Sequence, residues 1–363
     1  MSTHTILIMA GGTGGHVFPG LAVADYLRQA GWQVIWLGTE AGMELKLVPQ
    51  HGYKTEVIRF SGLRGKRLVT WLTLPVRLLK AFWQSMRIIQ RVQPDVVLGM
   101  GGYPAFPGGM MASLLNKPLV IHEQNSIAGL TNKILAKLAD RVFLGFPGAI
   151  HGNPESTLYS GNPVRVAIAQ IESPEKRFQG RQGPLKLLVV GGSLGAQILN
   201  TVVPQALKLI PENLRPLIVH QAGTSHWEAV KKAYEDLQLD GEVSAFIDDM
   251  AKRYADCDLV ICRAGALTVA ELSAAGVASI LVPYPHAVDD HQTANAQFLA
   301  RHGAALLLPQ RELTAQKLAD LLMELTREKL LNMAMAARGQ AKPDATRVVA
   351  EACIQLSGAL HEA

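Results

Sequence analysis

His16 closes a run of glycines, Ala10-Gly11-Gly12-Thr13-Gly14-Gly15, that follows the apolar stretch 5–9 and precedes a helix-forming stretch at 21–29. A strand, a glycine turn and a helix start leave backbone N–H groups pointing outward at the positive end of the helix dipole. That is a site for an anion or an oxygen-rich ligand. An imidazole there, with an unperturbed pKa of about 6.5, can take a proton from a hydroxyl at neutral pH. A histidine that merely begins a helix would look the same. Glu123, at the end of another apolar run, is the competing base. A second cluster, Gly191-Gly192-Ser193-Leu194-Gly195, follows the apolar run 185–190. Two such units suggest two similar α/β halves facing a shared cleft, and a phosphorylated substrate.

Other chemistries fit less well. A nicotinamide-dinucleotide fingerprint can begin at Gly12 and Gly14, but its third glycine position holds Val17, and Glu40 is then the acid for the ribose. No G-K-[ST] follows the first cluster, so a nucleotide-triphosphate P-loop is excluded. Asp256-Cys257-Asp258 is a D-x-D of the kind that holds a bridging cation in metal-dependent transferases. Here it precedes a strand instead of following one, and reads as polar residues between a helix and a strand. No metal and no cofactor is expected.

The elements that must place these residues are apolar runs alternating with helical stretches. Strands are expected at 5–9, 33–37, 55–60, 95–98, 119–122 and 141–144, then at 185–190, 217–221, 243–246, 259–261, 279–282 and 305–307. Continuous apolar runs separated by helices argue parallel sheets covered on both faces. The chain of 363 residues, 48% apolar, is long enough for two such cores. The break is expected after Gly161-Asn162-Pro163, giving domains 1–163 and 164–344. The polar stretch 171–184 reads as a linker, and a helix at 345–360 could return to the first domain.

Three cysteines without a C-x-x-C pair suggest a reduced cytosolic protein. Residues 1–4 lack the basic region of a signal peptide. The uncharged stretch 96–116 contains five glycines and two prolines, and reads as strand, loop and short helix, not as a membrane span. Charge is uneven: through Arg165 there are 16 Lys/Arg against 8 Asp/Glu, and beyond it 19 against 22. Residues 57–94 carry eight basic side chains and no acidic one, which implies an anionic partner. Nucleic acid is set aside because no recognition motif is present.

Several motifs occur in a fixed order: GGTGGHVFPG at 11–20, GMGGY at 99–103, HEQN at 122–125, GNPVR at 161–165, GGSLG at 191–195, FIDDM at 246–250 and ALTVAE at 266–271. Each is weak alone. Together, over residues 6–345, they closely resemble the bacterial muramyl-lipid N-acetylglucosaminyltransferase family of peptidoglycan synthesis. The resemblance implies a glycosyltransferase B fold, α/β, with two Rossmann-like domains whose parallel sheets face a central cleft. It implies inverting transfer of N-acetylglucosamine from its uridine-diphosphate donor to the 4-hydroxyl of undecaprenyl-pyrophosphoryl-N-acetylmuramyl-pentapeptide. The alternative within the same fold is another enzyme of uridine-diphosphate sugars, a glycolipid transferase or an epimerase. Outside it stand a nicotinamide oxidoreductase and a non-catalytic membrane-surface binding protein.

By resemblance, Thr13, Gly14, Gly15 and Asn125 contact substrate on the acceptor side, with His16 favoured over Glu123 as the base. Arg165, Ser193 and the segment Ala266-Leu267-Thr268-Val269-Ala270-Glu271 contact the donor, with Glu271 on the ribose, Ile247 offering backbone to uracil and Gln292 holding sugar hydroxyls. His291 and Asn295 are left open. These types suit the chemistry: a guanidinium and helix-start amides, each contributing about 0.3–1 kcal/mol, can together stand in for a cation at a departing diphosphate.

Residues 76–91 form a basic amphipathic pattern. Arg77, Lys80, Gln84, Arg87 and Arg91 fall within roughly 80° at a helical period, and Leu78, Leu79, Phe82, Met86 and Ile89 lie opposite. That apolar face could cover a sheet. Just before it, residues 68–72 with Trp71 sit beside Arg64, Lys66 and Arg67. Near an anionic bilayer each cation contributes about 1 kcal/mol, so the 64–91 region is the expected membrane face. The resemblance implies peripheral attachment to the cytoplasmic side of the cell inner membrane, beside other proteins of wall synthesis.

Overall fold

The computed structural model describes residues 4–60, 73–192 and 195–358. Ser193 and the segment holding Arg64, Lys66, Arg67 and Trp71 lie outside the described residues. The chain divides into two compact units, Met1–Arg165 with Pro343–Ala363, and Val166–Lys342.

In the first unit, strands β1 (Thr5–Ala10), β2 (Gln33–Thr39), β3 (Lys54–Ile58), β4 (Val96–Gly101), β5 (Leu119–Glu123), β6 (Arg141–Leu144) and β7 (Thr157–Tyr159) form one parallel sheet. Their order is β3-β2-β1-β4-β5-β6-β7. Successive side chains point to opposite faces, so each apolar strand feeds two cores. Ile6, Ile8, Val34, Trp36, Val96 and Leu98 pack with helix Gly14–Gln29 on one face. Leu7, Met9, Leu37, Val97 and Ile121 pack on the other with Ile88 and Ile89 of helix Leu74–Val92. Helix Ala345–Leu356 belongs to this unit, because Val349, Ala350 and Cys353 enter the first of these cores.

The second unit repeats the plan with β8 (Lys186–Val190), β9 (Leu217–Gln221), β10 (Glu242–Ser244), β11 (Leu259–Cys262), β12 (Ala278–Leu281) and β13 (Ala305–Leu307), in the order β10-β9-β8-β11-β12-β13. Both sheets reverse their winding beside the first strand of the unit, between β1 and β4 and between β8 and β11. In open α/β sheets, ligands bind beyond the carboxyl ends of the strands at that point.

Three expectations change. Strand β7 was not legible: it is three residues long, and Leu158 is half exposed. The stretch 171–184 is not a free linker. It contains helix Pro174–Phe178, and the guanidinium of the nearly buried Arg177 donates to the carbonyls of Tyr254, Ala275 and Gly276. Leu79 is 68% exposed, not packed with Ile89, and shares its exposure with Val76 and Trp83. Among the described residues no helix is long and apolar enough to cross a membrane.

Candidate functional site

At the first switch point the pairing of β1 with β4 passes over Met100: Met9 faces Gly99 and Ala10 faces Gly101. Such a bulge re-aims a strand end. Here it brings Gly101 and Gly102 against the glycine turn. Gly102 has φ +81, and a Cβ on it would lie 2.2 Å from the Gly11 carbonyl oxygen, so only glycine fits. The buried Trp36 fixes the end of β1 by donating Nε1–H to the Ala10 carbonyl at 2.9 Å.

Glu44, fully buried, holds the turn from beneath. Its Oε2 accepts from the Gly12 amide at 3.1 Å, and its Oε1 from the Thr39 amide at 2.9 Å and the Thr39 hydroxyl at 3.0 Å. Sequence reasoning missed this residue, since nothing near position 44 signals a contact with position 12. Above the carboxylate, helix Gly14–Gln29 begins without a side-chain cap and without an acidic residue in its first turn. Its first backbone bonds are donated by His16 and Val17 to the Thr13 carbonyl, so the amides of Gly14 and Gly15 precede the ladder. Thr13 is exposed, and Gly14, Gly15 and His16 are half-buried around that opening.

His16 Nδ1 lies 2.9 Å from Gln124 Oε1. Glu123, the rival base, is 2% exposed and accepts at both oxygens: Oε1 from the Asn125 amide (2.9 Å) and side chain (3.4 Å), Oε2 from the Gly129 amide (3.2 Å) and Asn132 Nδ2 (2.9 Å). That set of bonds shapes the loop carrying Asn125. His122 is wholly buried, and burial pushes its pKa down to about 4. Glu40, the acid of the dinucleotide alternative, pairs with Arg59 at 2.7 Å.

The second switch point also carries a closely packed glycine turn. Gly195 (φ +78) approaches so closely that a Cβ would lie 2.1 Å from the Ala222 carbonyl oxygen. Gln221 Nε2 and the Gly195 amide both donate to the Gly192 carbonyl. After β11, Arg263 donates to the carbonyls of Val282 and Pro283 and to Gln310 Oε1, and lies over the Tyr284 ring. Gln292 Oε1 accepts from the Ala264 and Tyr284 amides, at 3.3 and 2.9 Å, and the buried Asn295 donates to the Ala264 carbonyl. These contacts aim helix Ala266–Ala275, which also starts without a side-chain cap or an acidic first turn. A cavity of about 490 Å³ is lined by Gly195, Gln197, Arg263, Tyr284, Gln292 and Gln310. Arg263 was missed, although its place directly after a strand at the switch point was a readable signal.

The remaining candidates are more dispersed. Ala266 and Val269 are buried and Leu267, Thr268 and Ala270 half-buried; Glu271 is 6% exposed, with the Tyr254 hydroxyl donating to it at 3.4 Å. Ile247 lies in the loop after β10 with its side chain buried, and Arg165 is exposed at the end of the first unit. Asp258 accepts from Arg181 at 2.5 Å and from the Lys186 amide at 2.9 Å, while Asp256 is exposed. Those bonds make Asp258 a clamp on the start of β8.

Residues 6–144 match the glycosyltransferase family 28 N-terminal domain, and residues 186–349 its C-terminal domain. The UDP-N-acetylglucosamine--N-acetylmuramyl-(pentapeptide) pyrophosphoryl-undecaprenol N-acetylglucosamine transferase of Nitrosospira multiformis is 65% identical over 98% of this chain and 99% of its own. The chain belongs to this transferase family. The enzyme of the same name from Nitrosomonas europaea is 63% identical, over 98% of this chain and 100% of its own. The crystal structure of Acinetobacter baumannii MurG, 42% identical, superposes with a TM-score of 0.84 over 98% of this chain and 100% of that one. Both glycine turns of the transferase described above thus lie in regions that the two family domains match.

Proposed function

We propose that this chain transfers N-acetylglucosamine from uridine-diphosphate N-acetylglucosamine to the 4-hydroxyl of undecaprenyl-pyrophosphoryl-N-acetylmuramyl-pentapeptide, with inversion. The first unit takes the acceptor and the second the donor. One observation carries the reading: His16 stands at an uncapped helix start on the switch point of the first sheet, with Nδ1 tied to Gln124 and Nε2 left for a substrate. As the acceptor oxygen attacks the anomeric carbon, its proton passes to His16, the new C–O bond forms, and the bond to the diphosphate breaks on the opposite face.

Thr13, Gly14, Gly15 and Asn125 hold the acceptor beside His16. Both oxygens of Glu123 are already engaged by N–H donors, which supports His16 as the base. The leaving diphosphate meets Arg165, Ser193 and the amides of Ala266, Leu267 and Thr268 at the positive end of their helix. Val269 and Ala270 complete that turn, Glu271 holds the ribose and the Ile247 backbone the uracil. Gln292 acts toward the sugar as a donor through Nε2, because its oxygen is taken by Ala264 and Tyr284.

Membrane attachment belongs to the same reading. Val76, Leu79 and Trp83 are 70%, 68% and 54% exposed along one stripe of helix Leu74–Val92. Lys80 and Arg87 flank them, the Arg87 guanidinium lying over the Trp83 ring. An apolar stripe edged by cations suits the anionic cytoplasmic leaflet of the inner membrane, where a lipid-linked acceptor resides.

The test is release of uridine diphosphate with and without the muramyl-lipid acceptor. Release is expected only when both substrates are present. His16→Ala is expected to lower kcat by about 10²–10⁴ while donor affinity holds. Release without acceptor would instead point to a different sugar-nucleotide enzyme.

A further inference from the structure

A continuous hydrogen-bonded row runs from His16 into the core. His16 Nδ1 lies 2.9 Å from Gln124 Oε1, Gln124 Nε2 lies 3.1 Å from His122 Nδ1, and His122 Nε2 lies 3.0 Å from the Gly161 carbonyl oxygen. Imidazoles and amides can each face two ways, so distances alone do not orient such a row. Two backbone carbonyls do. The Gly161 oxygen can only accept, so His122 Nε2 carries a hydrogen. The Gln124 nitrogen also lies 3.0 Å from the His122 carbonyl oxygen, another pure acceptor, so that end of the amide is the NH2. His122 is buried and neutral above about pH 4, which leaves its Nδ1 bare to accept from Gln124. The amide oxygen must then face His16, and His16 Nδ1 must carry the hydrogen. Asn162 fixes the frame by donating to the Gln124 carbonyl at 3.0 Å.

We propose that Gln124 and His122 are positioning residues that hold His16 as its Nδ1–H tautomer, so that the lone pair on Nε2 is the one offered to the acceptor hydroxyl. This rests on the reading of His16 as the base and deepens it. The chemistry explains an amide in this place. A carboxylate behind a histidine stabilises the imidazolium as well as orienting it. A neutral amide orients the ring without placing a formal charge beside it. The titratable groups on the surrounding elements are His122 and Glu123 on β5, Tyr103 after β4 and Glu44 under Gly12. Among the described residues, only His122 is joined to the His16 ring through Gln124.

The experiment is nitrogen NMR on protein carrying ¹⁵N-labelled histidine, which separates N–H from bare ring nitrogens, combined with kinetics. In the unaltered protein at pH 8, His16 should show Nδ1 protonated and Nε2 bare, and His122 the reverse. Gln124→Leu should convert His16 to a mixture of tautomers and lower kcat by about tenfold or more, with donor KM unchanged. Observation of the Nε2–H form of His16 in the unaltered protein, which needs no variant to fold, overturns the proposal. So does a Gln124→Leu protein with unchanged tautomer and kcat. If His16→Ala abolishes turnover while either of those results is found, the base reading stands and only the row fails. Near-normal turnover of His16→Ala removes both.

Discussion

Glu44 buries its carboxylate completely, and three donors converge on its two oxygens and set the shape of the glycine turn. Charge-assisted bonds of this kind are costly to lose, because a donor left unpaired inside the protein carries its full desolvation penalty. Glu44→Gln replaces one acceptor oxygen with an NH2 facing a donor. It is expected to cost about 1–3 kcal/mol in urea unfolding and to raise the acceptor KM more than the donor KM. A variant as stable as its parent, with unaltered acceptor KM, would show that the turn keeps its shape unaided. His16 was legible in the sequence because its position is local, one residue past a glycine turn at a helix start. Its partners were not: Gln124 lies 108 positions away and Glu44 lies 32 positions from Gly12. Glu123 drew notice as a carboxylate at a strand end, but sequence cannot show that four N–H groups already bind it.

At the scale of elements, strands were legible because a parallel sheet buried on both faces demands unbroken apolar runs. Helix faces were less so. Helix Leu74–Val92 has two apolar stripes, and a helical period does not say which one meets the sheet. Small residues decide it: Ala81 and Ser85, both fully buried, let the helix approach closely, and the Phe82 ring meets Phe106 at 5.9 Å. Val76, Leu79 and Trp83 are thereby turned outward. Replacing all three with Ser is expected to leave the fold intact and to weaken sedimentation with anionic vesicles by about tenfold or more, since each such side chain contributes about 1.5–3 kcal/mol when fully buried. Replacing Lys80 and Arg87 should instead weaken it in a manner that added salt mimics. Vesicle binding unchanged in both variants would move the membrane face elsewhere. The stretch 171–184 misled because polar composition was read as a linker, whereas Arg177 donates to three carbonyls of the core.

Across the whole molecule, each unit buries one histidine completely among the described residues. His122 donates to Gly161, and His220 sits between Asn200 Oδ1 and the Tyr234 hydroxyl. Burial lowers both pKa values from 6.5 to about 4. The unfolded chain therefore takes up protons below pH 6.5 that the folded chain refuses. Their contribution to stability is complete above pH 6.5, declines as pH falls toward 4, and levels off below it. The expected slope is up to about 1.4 kcal/mol per pH unit for each histidine. Denaturant unfolding between pH 7.5 and 4.5 measures it, and His220→Asn should remove about half of the slope. A stability independent of pH over that interval would mean that neither ring is held neutral. The return of helix Ala345–Leu356 to the first unit has a different consequence. Ile6 and Ile8 are made early, yet the core that receives them also needs Val349, Ala350 and Cys353. During synthesis the second unit has all its residues before the first one does, so the half that emerges first from the ribosome is the last to close.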